Sequence, residues 1–284
     1  MQASFGDVLR AASLRLADAG VETARSDAKL LLLKASGLSS ADLIMQEMAT
    51  VPTDVAASYD EFIRRRFSGE PVSLILGEVE FMGLAFKTDT RALAPRNDSE
   101  RLVEAALGLA AEKKTGTIVD LGTGSGCLVL SFLHFLPDWN GIALDISPAA
   151  LSLAQENADR LSLSDRIEFI EGSWHDAADA IAGARLVISN PPYIPDGDIP
   201  ALDFEVRHFD PTNALGGGAD GLDCYREIIE ICAARMMSGA HLVFEIGFDQ
   251  ADSVSDLLSR QNFAHLTVVK DFSGHNRVVI AQKQ

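Results

Sequence analysis

The residues best suited to chemistry form the stretch Asn190-Pro191-Pro192-Tyr193, which directly follows the apolar run Leu186-Val187-Ile188. This run predicts the end of a buried strand. Residues before a proline are biased away from the helical region and proline φ is nearly fixed, so we expect a stiff bend after the strand. The bend can direct the Asn190 side-chain oxygen and a backbone carbonyl, for which we choose Pro191, into one small volume. Two such acceptors would hold an NH2 group by both hydrogens, and Tyr193 would supply a flat face for the planar group that carries it.

A plain strand-ending turn with a packed Tyr193 is the alternative interpretation of this stretch. Which of the two applies depends on what else the chain brings to the same edge of the sheet. In open α/β sheets, ligands bind at the carboxyl ends of the strands.

A second stretch, Asp120-Leu121-Gly122-Thr123-Gly124-Ser125-Gly126, follows a predicted strand and opens a predicted helix. Alternating glycines let the backbone turn tightly and approach a ligand closely. A dinucleotide fingerprint requires Gly-x-Gly-x-x-Gly, and the third glycine position is Cys127 here. A Gly-x-Gly-x-Gly turn behind an acid is more typical of S-adenosylmethionine, whose amino-acid part takes the place of the pyrophosphate. We therefore predict that Asp120 and residues 122–126 bind this cofactor.

Two further side chains stand at predicted strand ends. Asp145 ends the second strand of the α/β region, where a carboxylate can accept both ribose hydroxyls, and its alternative role is to cap the helix at Pro148. Trp174 lies just beyond the third strand, where its ring could pack against adenine or belong to the core.

The elements that position these residues alternate between strand and helix. Strands are predicted at 117–121, 140–145, 166–171, 185–189, 241–246, 264–271 and 276–282. Helices are predicted near 125–136, 148–161, 221–237 and 249–260. This order implies a mostly parallel Rossmann-like sheet that ends in an antiparallel hairpin. Residues before about 70 read as helices, beginning with a Ser4–Asp7 capping box. We expect a helical bundle at 1–75, a β-hairpin linker at 76–92, and the α/β domain at 93–284, where Asp98 would cap a helix.

Composition narrows the range of partners. The net charge of the 284-residue chain is −17, which disfavours nucleic-acid substrates because Lys and Arg supply most non-specific affinity for phosphates. The one dense basic run, Arg64-Arg65-Arg66, is interpreted either as a solvated helix face or as a contact to RNA or an acidic partner. Three cysteines without Cys-x-x-Cys spacing indicate reduced thiols. With neither a signal peptide nor a membrane span in the pattern, we expect a cytoplasmic protein without a metal site.

Together these motifs resemble a class I S-adenosylmethionine-dependent methyltransferase. The resemblance narrows to the HemK/PrmC family of release-factor glutamine N5-methyltransferases. It covers nearly the whole chain and is carried by the following residues: Arg64-Arg65-Arg66, Gly69-Glu70-Pro71, Gly77, Glu80-Phe81, Gly83-Leu84, Phe86, Asn190-Pro191-Pro192-Tyr193, Glu205-Val206, Asp210-Pro211, Ala214-Leu215, Asp220-Gly221-Leu222, Tyr225 and Asn276-Arg277-Val278-Val279. One departure is Asn97, in Pro95-Arg96-Asn97-Asp98-Ser99-Glu100, where the family usually has a second proline.

The resemblance implies methyl transfer from S-adenosylmethionine to the N5 nitrogen of a glutamine in peptide chain release factors. Gly122 to Gly126, Asp145, Trp174 and Asn190 would contact the cofactor, and Asn190 to Tyr193 would hold the glutamine. The helical bundle would recognise the release factor, and we expect a monomer. Three alternatives stay open: a ribosomal-protein glutamine methyltransferase, an N6-adenine DNA methyltransferase, and a non-catalytic S-adenosylmethionine-binding module.

Overall fold

The computed structural model describes residues 3–284. The chain divides into two compact units. One runs to Gly77 and includes Phe204–Phe209, and the other comprises Glu78–Asp203 and Asp210–Gln284.

The helices are α1 (Phe5–Asp18), α2 (Ala24–Ser36), α3 (Ser40–Met45), α4 (Thr53–Phe67), α5 (Val72–Leu76), α6 (Glu100–Ala110), α7 (Cys127–Phe135), α8 (Pro148–Arg160), α9 (Ala178–Gly183), α10 (Phe204–Phe209), α11 (Asp223–Arg235) and α12 (Ala251–Arg260). The strands are β1 (Glu78–Phe81), β2 (Leu84–Lys87), β3 (Gly116–Leu121), β4 (Trp139–Asp145), β5 (Ile167–Glu171), β6 (Leu186–Ser189), β7 (His241–Glu245), β8 (Phe263–Lys270) and β9 (Asn276–Lys283).

The first unit is a small bundle of α1 to α5 with α10. Its first helix begins with the predicted capping box, since the Ser4 hydroxyl accepts from the Asp7 N–H and the Asp7 carboxylate accepts from the Ser4 N–H. Gly37 ends α2 in the left-handed conformation that glycine adopts without a steric penalty. Leu16, Leu31 and other apolar side chains at helical spacing are fully buried and form the core of the bundle.

The arginines of the basic run at the end of α4 lie on different sides of the helix and therefore have different surroundings. Arg64 is exposed and pairs with Glu61 of its own helix, as a solvated face would. Arg66 is only 5% exposed. Its Nε atom lies 2.8 Å from Asp27 of α2, and its Nη1 atom lies 2.5 Å from Glu205 of α10. The solvated-face interpretation is therefore wrong for Arg66, which joins three helices of the bundle.

The second unit contains a seven-stranded sheet of order β5-β4-β3-β6-β7-β9-β8. The pairs from β5 to β7 are parallel, whereas β9 is antiparallel to both of its neighbours. The predicted Rossmann-like fold with a closing antiparallel hairpin is confirmed. Both faces of the sheet are covered by apolar clusters, which is why the central strands are continuous apolar runs. A separate two-stranded hairpin, β1-β2, precedes this sheet.

One local prediction is wrong. Asp98 does not cap a helix: a 3-10 turn occupies Asn97–Ser99, and α6 begins at Glu100. The carboxylate of Asp98 instead lies 3.5 Å from the Arg277 guanidinium, a contact with β9 that local sequence cannot reveal. Within residues 3–284, no helix has the length and apolar character needed to span a membrane.

The buried ion pair leads to a prediction about stability. Replacing Arg66 with Ala leaves the Asp27 charge buried without its partner, which typically costs about 3–5 kcal/mol. We expect Arg66→Ala to lower the unfolding free energy of the bundle by that order, measured by urea denaturation. Arg64→Ala, two residues earlier on the same helix, is the matched control and should leave the urea midpoint nearly unchanged because its pair is exposed. Equal effects of the two substitutions would contradict the assignment.

Candidate functional site

The predicted site residues follow the carboxyl ends of neighbouring strands in the second unit. Asp120 lies near the end of β3, Asp145 ends β4, and Asn190 follows β6. In the sheet, β4 and β5 lie on one side of β3, whereas β6 and β7 lie on the other side. The strand order therefore reverses between β3 and β6, and α/β sheets bind ligands at the carboxyl ends of the strands at such a switch point. The geometry of each group at this edge decides what the site can bind.

The glycine turn between β3 and α7 is fastened to the next strand. The N–H groups of Gly122 and Thr123 donate to the Leu144 carbonyl at 2.8 and 2.9 Å. Gly122, Gly124 and Gly126 have φ angles of 80°, 56° and 80°, a conformation that residues with a Cβ rarely adopt. The backbone conformation at these three positions therefore explains why the motif has glycine there.

Asp120 is a fully buried carboxyl group beneath this turn. Its Oδ2 atom accepts from the Thr123 hydroxyl at 2.7 Å, whereas its buried Oδ1 atom has no hydrogen-bond partner among residues 3–284. Burial raises the pKa of Asp120 to about 7, and the charge of Asp145 adds to the shift. An unsatisfied buried acceptor at a glycine turn suits a ligand that brings its own hydrogen-bond donors.

Asp145 links the turn to the start of α8. Its Oδ2 atom accepts from the Gly124 N–H and its Oδ1 atom from the Ser147 N–H, both at 2.9 Å. Ser147, not Asp145, is the N-cap of α8, so the capping alternative for Asp145 is wrong. Each carboxylate oxygen can accept more than one hydrogen bond, which leaves capacity for hydroxyl groups of a ligand.

Trp174 lies against the glycine turn. A Cβ atom at Gly122 would come within 3.2 Å of the Trp174 ring, so only glycine lets the ring approach so closely. The same ring packs on the apolar cluster of the sheet and is partly buried. Both interpretations of Trp174, as core and as an adenine platform, fit this position.

The Asn190–Tyr193 loop rests on the segment that precedes α11. Ile194 donates from its N–H to the Leu215 carbonyl at 3.0 Å, and Gly217 donates to the Ile194 carbonyl at 2.8 Å. A Cβ atom at Gly221 would lie 2.3 Å from the Tyr193 carbonyl oxygen. Pro191 is buried and Asn190 is half-buried. Burial raises the pKa of Tyr193 to about 12, so its phenol stays protonated at neutral pH.

Gln250 fixes the end of this loop and was missed by the sequence analysis. Its Nε2 atom donates to the Tyr193 carbonyl at 3.0 Å and to the Gly221 carbonyl at 3.2 Å, while its Oε1 atom accepts from the Gly247 N–H at 3.0 Å. The side chain is 8% exposed. A glutamine just ahead of a helix gives no signal for such a role, because the Tyr193 and Gly221 carbonyls lie far away in sequence.

Glu245 is the second group that the sequence analysis missed. It ends β7 beside the candidate loop and is 3% exposed. Burial raises the pKa of Glu245 to about 7, while the nearby Ser99 hydroxyl, Arg277 guanidinium and Asn190 amide favour its charged form. In the sequence, this carboxylate is only the polar residue that ends the apolar run Leu242-Val243-Phe244.

Together these residues line one edge with acceptors, a glycine turn and a flat ring. The chemistry of these residues fits S-adenosylmethionine. The unsatisfied Asp120 oxygen suits the donor groups of this ligand, and the Trp174 ring beside Gly122 suits its aromatic base. Metal-binding groups of three or more His, Cys, Asp or Glu side chains are absent from the described part of the chain, residues 3–284.

Comparison with known proteins places this chain in a family. Residues 7–77 match the model of the PrmC N-terminal domain, and residues 100–201 match that of the methyltransferase small domain. The release factor glutamine methyltransferase of Cereibacter sphaeroides is 38% identical over 97% of both chains. The chain belongs to the release factor glutamine methyltransferase family. The protein of the same name from Rhodospirillum rubrum is 42% identical over 99% of this chain and 85% of that one. The predicted family is confirmed.

Solved structures agree on the fold of this family member. The catalytic domain of hMettl16, in complex with a MAT2A 3′ UTR hairpin, has a TM-score of 0.57 at 16% identity and covers 71% of this chain and 76% of that one. The T. thermophilus 16S rRNA N2 G1207 methyltransferase RsmC, in complex with AdoMet and guanosine, has a TM-score of 0.52 at 17% identity and covers 73% of this chain and 50% of that one. At such identities the likeness shows the methyltransferase fold alone.

The Gln250 contacts lead to a second prediction. Gln250→Glu replaces a donor by an acceptor that faces two carbonyl oxygens, so we expect a loss of about 1–3 kcal/mol in unfolding free energy at pH 8. A protonated carboxyl can still donate to one carbonyl, which raises the folded-state pKa of the introduced group. Stability should therefore be nearly preserved below the unfolded pKa of about 4.3 and fall as the pH rises above it. Chemical denaturation between pH 4 and 8 measures this, with the exposed Gln261→Glu as control. A loss independent of pH would contradict the role of the two carbonyls.

Proposed function

We propose that this protein transfers a methyl group from S-adenosylmethionine to the side-chain amide nitrogen, N5, of a glutamine in peptide chain release factors. The observation that carries the proposal is the Asn190–Tyr193 loop, a stiff bend of hydrogen-bond acceptors placed next to the glycine turn at one sheet edge. The choice of release factors as substrate is supported by relatives named release factor glutamine methyltransferase, which are similar to this chain over most of their length.

The cofactor is held by residues from three strand ends. Gly122 to Gly126, with Thr123 and Ser125 between the glycines, receive its amino-acid part, and the free oxygen of Asp120 accepts from its ammonium group. Asp145 accepts from the ribose hydroxyls, and Trp174 packs against the adenine. S-adenosylmethionine supplies a methyl group bound to a positively charged sulfur. Asn190 lies between this site and that of the substrate.

The substrate amide is held by the loop. An amide nitrogen is a poor nucleophile because its lone pair is delocalised into the carbonyl group. The Asn190 side-chain oxygen and the Pro191 carbonyl accept its two N–H hydrogens and orient the nitrogen for in-line attack. The same acceptors favour the positive charge that develops on the nitrogen. Transfer would break the sulfur–methyl bond and leave S-adenosylhomocysteine. The methylated, cationic amide is very acidic, so it would lose one N–H proton without a dedicated general base. Pro192 keeps the bend rigid, and the Tyr193 ring faces the plane of the amide.

Recognition of the release factor is assigned to the helical bundle at 1–75, joined by the hairpin linker at 76–92 to the methyltransferase domain at 93–284. A glutamine side chain is small and common, so the loop alone cannot distinguish one protein from another. The bundle offers exposed apolar side chains at Ile44, Met45 and Met48, which are 72%, 76% and 87% exposed. We place the activity in the cytoplasm and assign it to a monomer.

The cofactor assignment predicts a defect in binding. Asp145→Ala removes the acceptor for the ribose hydroxyls and a hydrogen bond that supports the glycine turn. We expect S-adenosylmethionine to bind about 1.5–3 kcal/mol more weakly, the usual scale for hydrogen bonds to a charged group, as measured by isothermal titration calorimetry. Asp138→Ala, an exposed acid that directly precedes the opposite end of β4, removes the same charge, and this variant should bind S-adenosylmethionine normally. Unchanged affinity of Asp145→Ala would remove this residue from the site.

The function itself is tested by transfer of a radiolabelled methyl group. Wild-type protein should label purified release factor on glutamine, but not ribosomes or DNA tested in parallel. Asn190→Ala should lower kcat by roughly 10²–10³ because one preorganised acceptor is lost. Asn140→Ala, an exposed substitution on β4, serves as control and should keep wild-type turnover. Labelling of DNA or ribosomes in place of release factor would overturn the proposal, and near wild-type turnover of Asn190→Ala would overturn its mechanism.

A further inference from the structure

Glu245 lies directly beside Asn190 at the sheet edge. Strands β6 and β7 are parallel, and Ser189 is paired with Phe244, so the next residues of the two strands, Asn190 and Glu245, emerge at the same level. Glu245 is 3% exposed. Its buried Oε2 atom has no hydrogen-bond partner in the portion of the chain that the structure describes, residues 3–284. A buried carboxylate oxygen is costly unless a donor satisfies it.

The donors around Glu245 are already partly engaged. The Arg277 guanidinium donates to Asp271 at 3.1 Å and to the Ile246 carbonyl at 3.3 Å. The Tyr225 hydroxyl donates to the backbone carbonyl of Glu245 at 2.8 Å, which fixes the backbone at this position. The Asn190 side-chain amide lies close enough to the Glu245 carboxyl to favour its charged form. The Ser99 hydroxyl is a second donor near this carboxyl, and together Ser99 and Asn190 can satisfy both of its oxygens.

An ionised carboxylate decides which way a neighbouring amide turns. A carboxylate only accepts hydrogen bonds, whereas an asparagine amide has a donor end and an acceptor end of nearly the same shape. Asn190 must therefore turn its NH2 group toward Glu245. Its oxygen then faces away from the carboxylate, which is the orientation that an acceptor pair for a substrate NH2 group requires.

We propose that Glu245 is a positioning residue that turns the Asn190 side-chain oxygen toward the amide nitrogen of the substrate. This inference rests on the proposed function, because Glu245 acts through Asn190 and does not itself touch the substrate. It also defines the class of methyl acceptor. Only a group that donates two hydrogens, as an amide or amino nitrogen does, satisfies two acceptors at once, whereas a hydroxyl group donates one.

The orientation depends on the charge of Glu245. Protonated, Glu245 can donate to the Asn190 oxygen and so withdraw the acceptor from the substrate. Since burial raises the pKa of Glu245 to about 7, the acceptor pair is complete above this pH and is lost below it. The charged or titratable groups that face Glu245 are Asp98, Arg277, Tyr193, Tyr225 and Cys127. Among them, burial raises the pKa of Tyr193 and that of Cys127 to about 12, so neither titrates near neutrality.

Kinetics at saturating S-adenosylmethionine and release factor test the proposal. Wild-type kcat should fall as the pH is lowered from 8 to 5.5. Glu245→Gln should lower kcat about tenfold to a hundredfold at pH 8 and abolish the inflection near pH 7, because a neutral glutamine lets Asn190 adopt either orientation. Its affinity for S-adenosylmethionine should stay within about twofold of wild type, because Glu245 orients the Asn190 oxygen that faces the substrate. Glu245→Asp keeps an acceptor-only group and should retain the inflection, and the exposed Glu230→Gln on α11 should behave as wild type.

Asp120 also has a pKa raised to about 7, so the loss of the inflection in Glu245→Gln is what identifies the group. An inflection that persists in Glu245→Gln, or a wild-type kcat in this variant, would overturn the proposal. Thermal unfolding of Glu245→Gln checks that the variant is folded.

An NMR measurement separates this inference from the proposed function. The side-chain ¹H–¹⁵N resonances of Asn190 in the protein without substrate should shift with an inflection near pH 7 in wild type and not in Glu245→Gln. Failure of wild-type protein to methylate release factor would overturn the proposed function. Asn190 resonances that do not respond to pH would overturn the Asn190–Glu245 contact, whether or not release factor is methylated.

Discussion

Parallel pairing of β3 with β6 is the constraint on which the site depends. Ile118, Val119 and Asp120 are in register with Leu186, Val187 and Ile188, and this pairing sets the level at which each chain leaves the sheet. The glycine turn and the Asn190 loop belong to parts of the chain that are far apart in sequence. They meet because both follow strands that run in the same direction and end at the same edge. Slipping this pairing by one residue would turn every side chain of β6 to the opposite face and move the loop away from the turn.

The two buried carboxyl groups at this edge of the sheet lower the stability of the folded protein. Asp120 and Glu245 are both buried, and burial holds the pKa of each near 7 rather than near 4. A folded state that binds these protons more tightly than the unfolded chain loses stability as the pH rises from about 4 through 7. The apolar clusters on both faces of the sheet offset this cost. Buried carboxyl groups that lower stability are expected where a site must bind polar groups.

The position of the candidate site residues at one edge of the sheet was predictable where the motifs consist of consecutive residues. Asn190-Pro191-Pro192-Tyr193 and the glycine turn each combine a strand end with residues whose backbone preferences are narrow, so type and spacing were sufficient. The mostly parallel sheet with its closing antiparallel hairpin also followed from the alternation of helix and strand. Glu245 and Gln250 could not be found in this way, because a buried carboxylate and a bridging amide acquire their roles only from residues on other elements. Local sequence likewise could not separate Arg66 from Arg64, since the difference is set by which side of α4 faces Asp27.

The placement of α10 in the bundle has a consequence for rearranging these modules. Gly69 has a φ angle of 90°, and a Cβ atom there would lie 2.6 Å from the Phe204 ring, while Glu205 pairs with Arg66. The first compact unit is thus assembled from two stretches of chain, and the second stretch is inserted between the Asn190 loop and α11. A chimera that exchanges only the N-terminal residues between two relatives would therefore mismatch Gly69 and Arg66 with a foreign α10. Within the family, substitutions at positions 66 and 69 should be correlated with substitutions at positions 204 and 205.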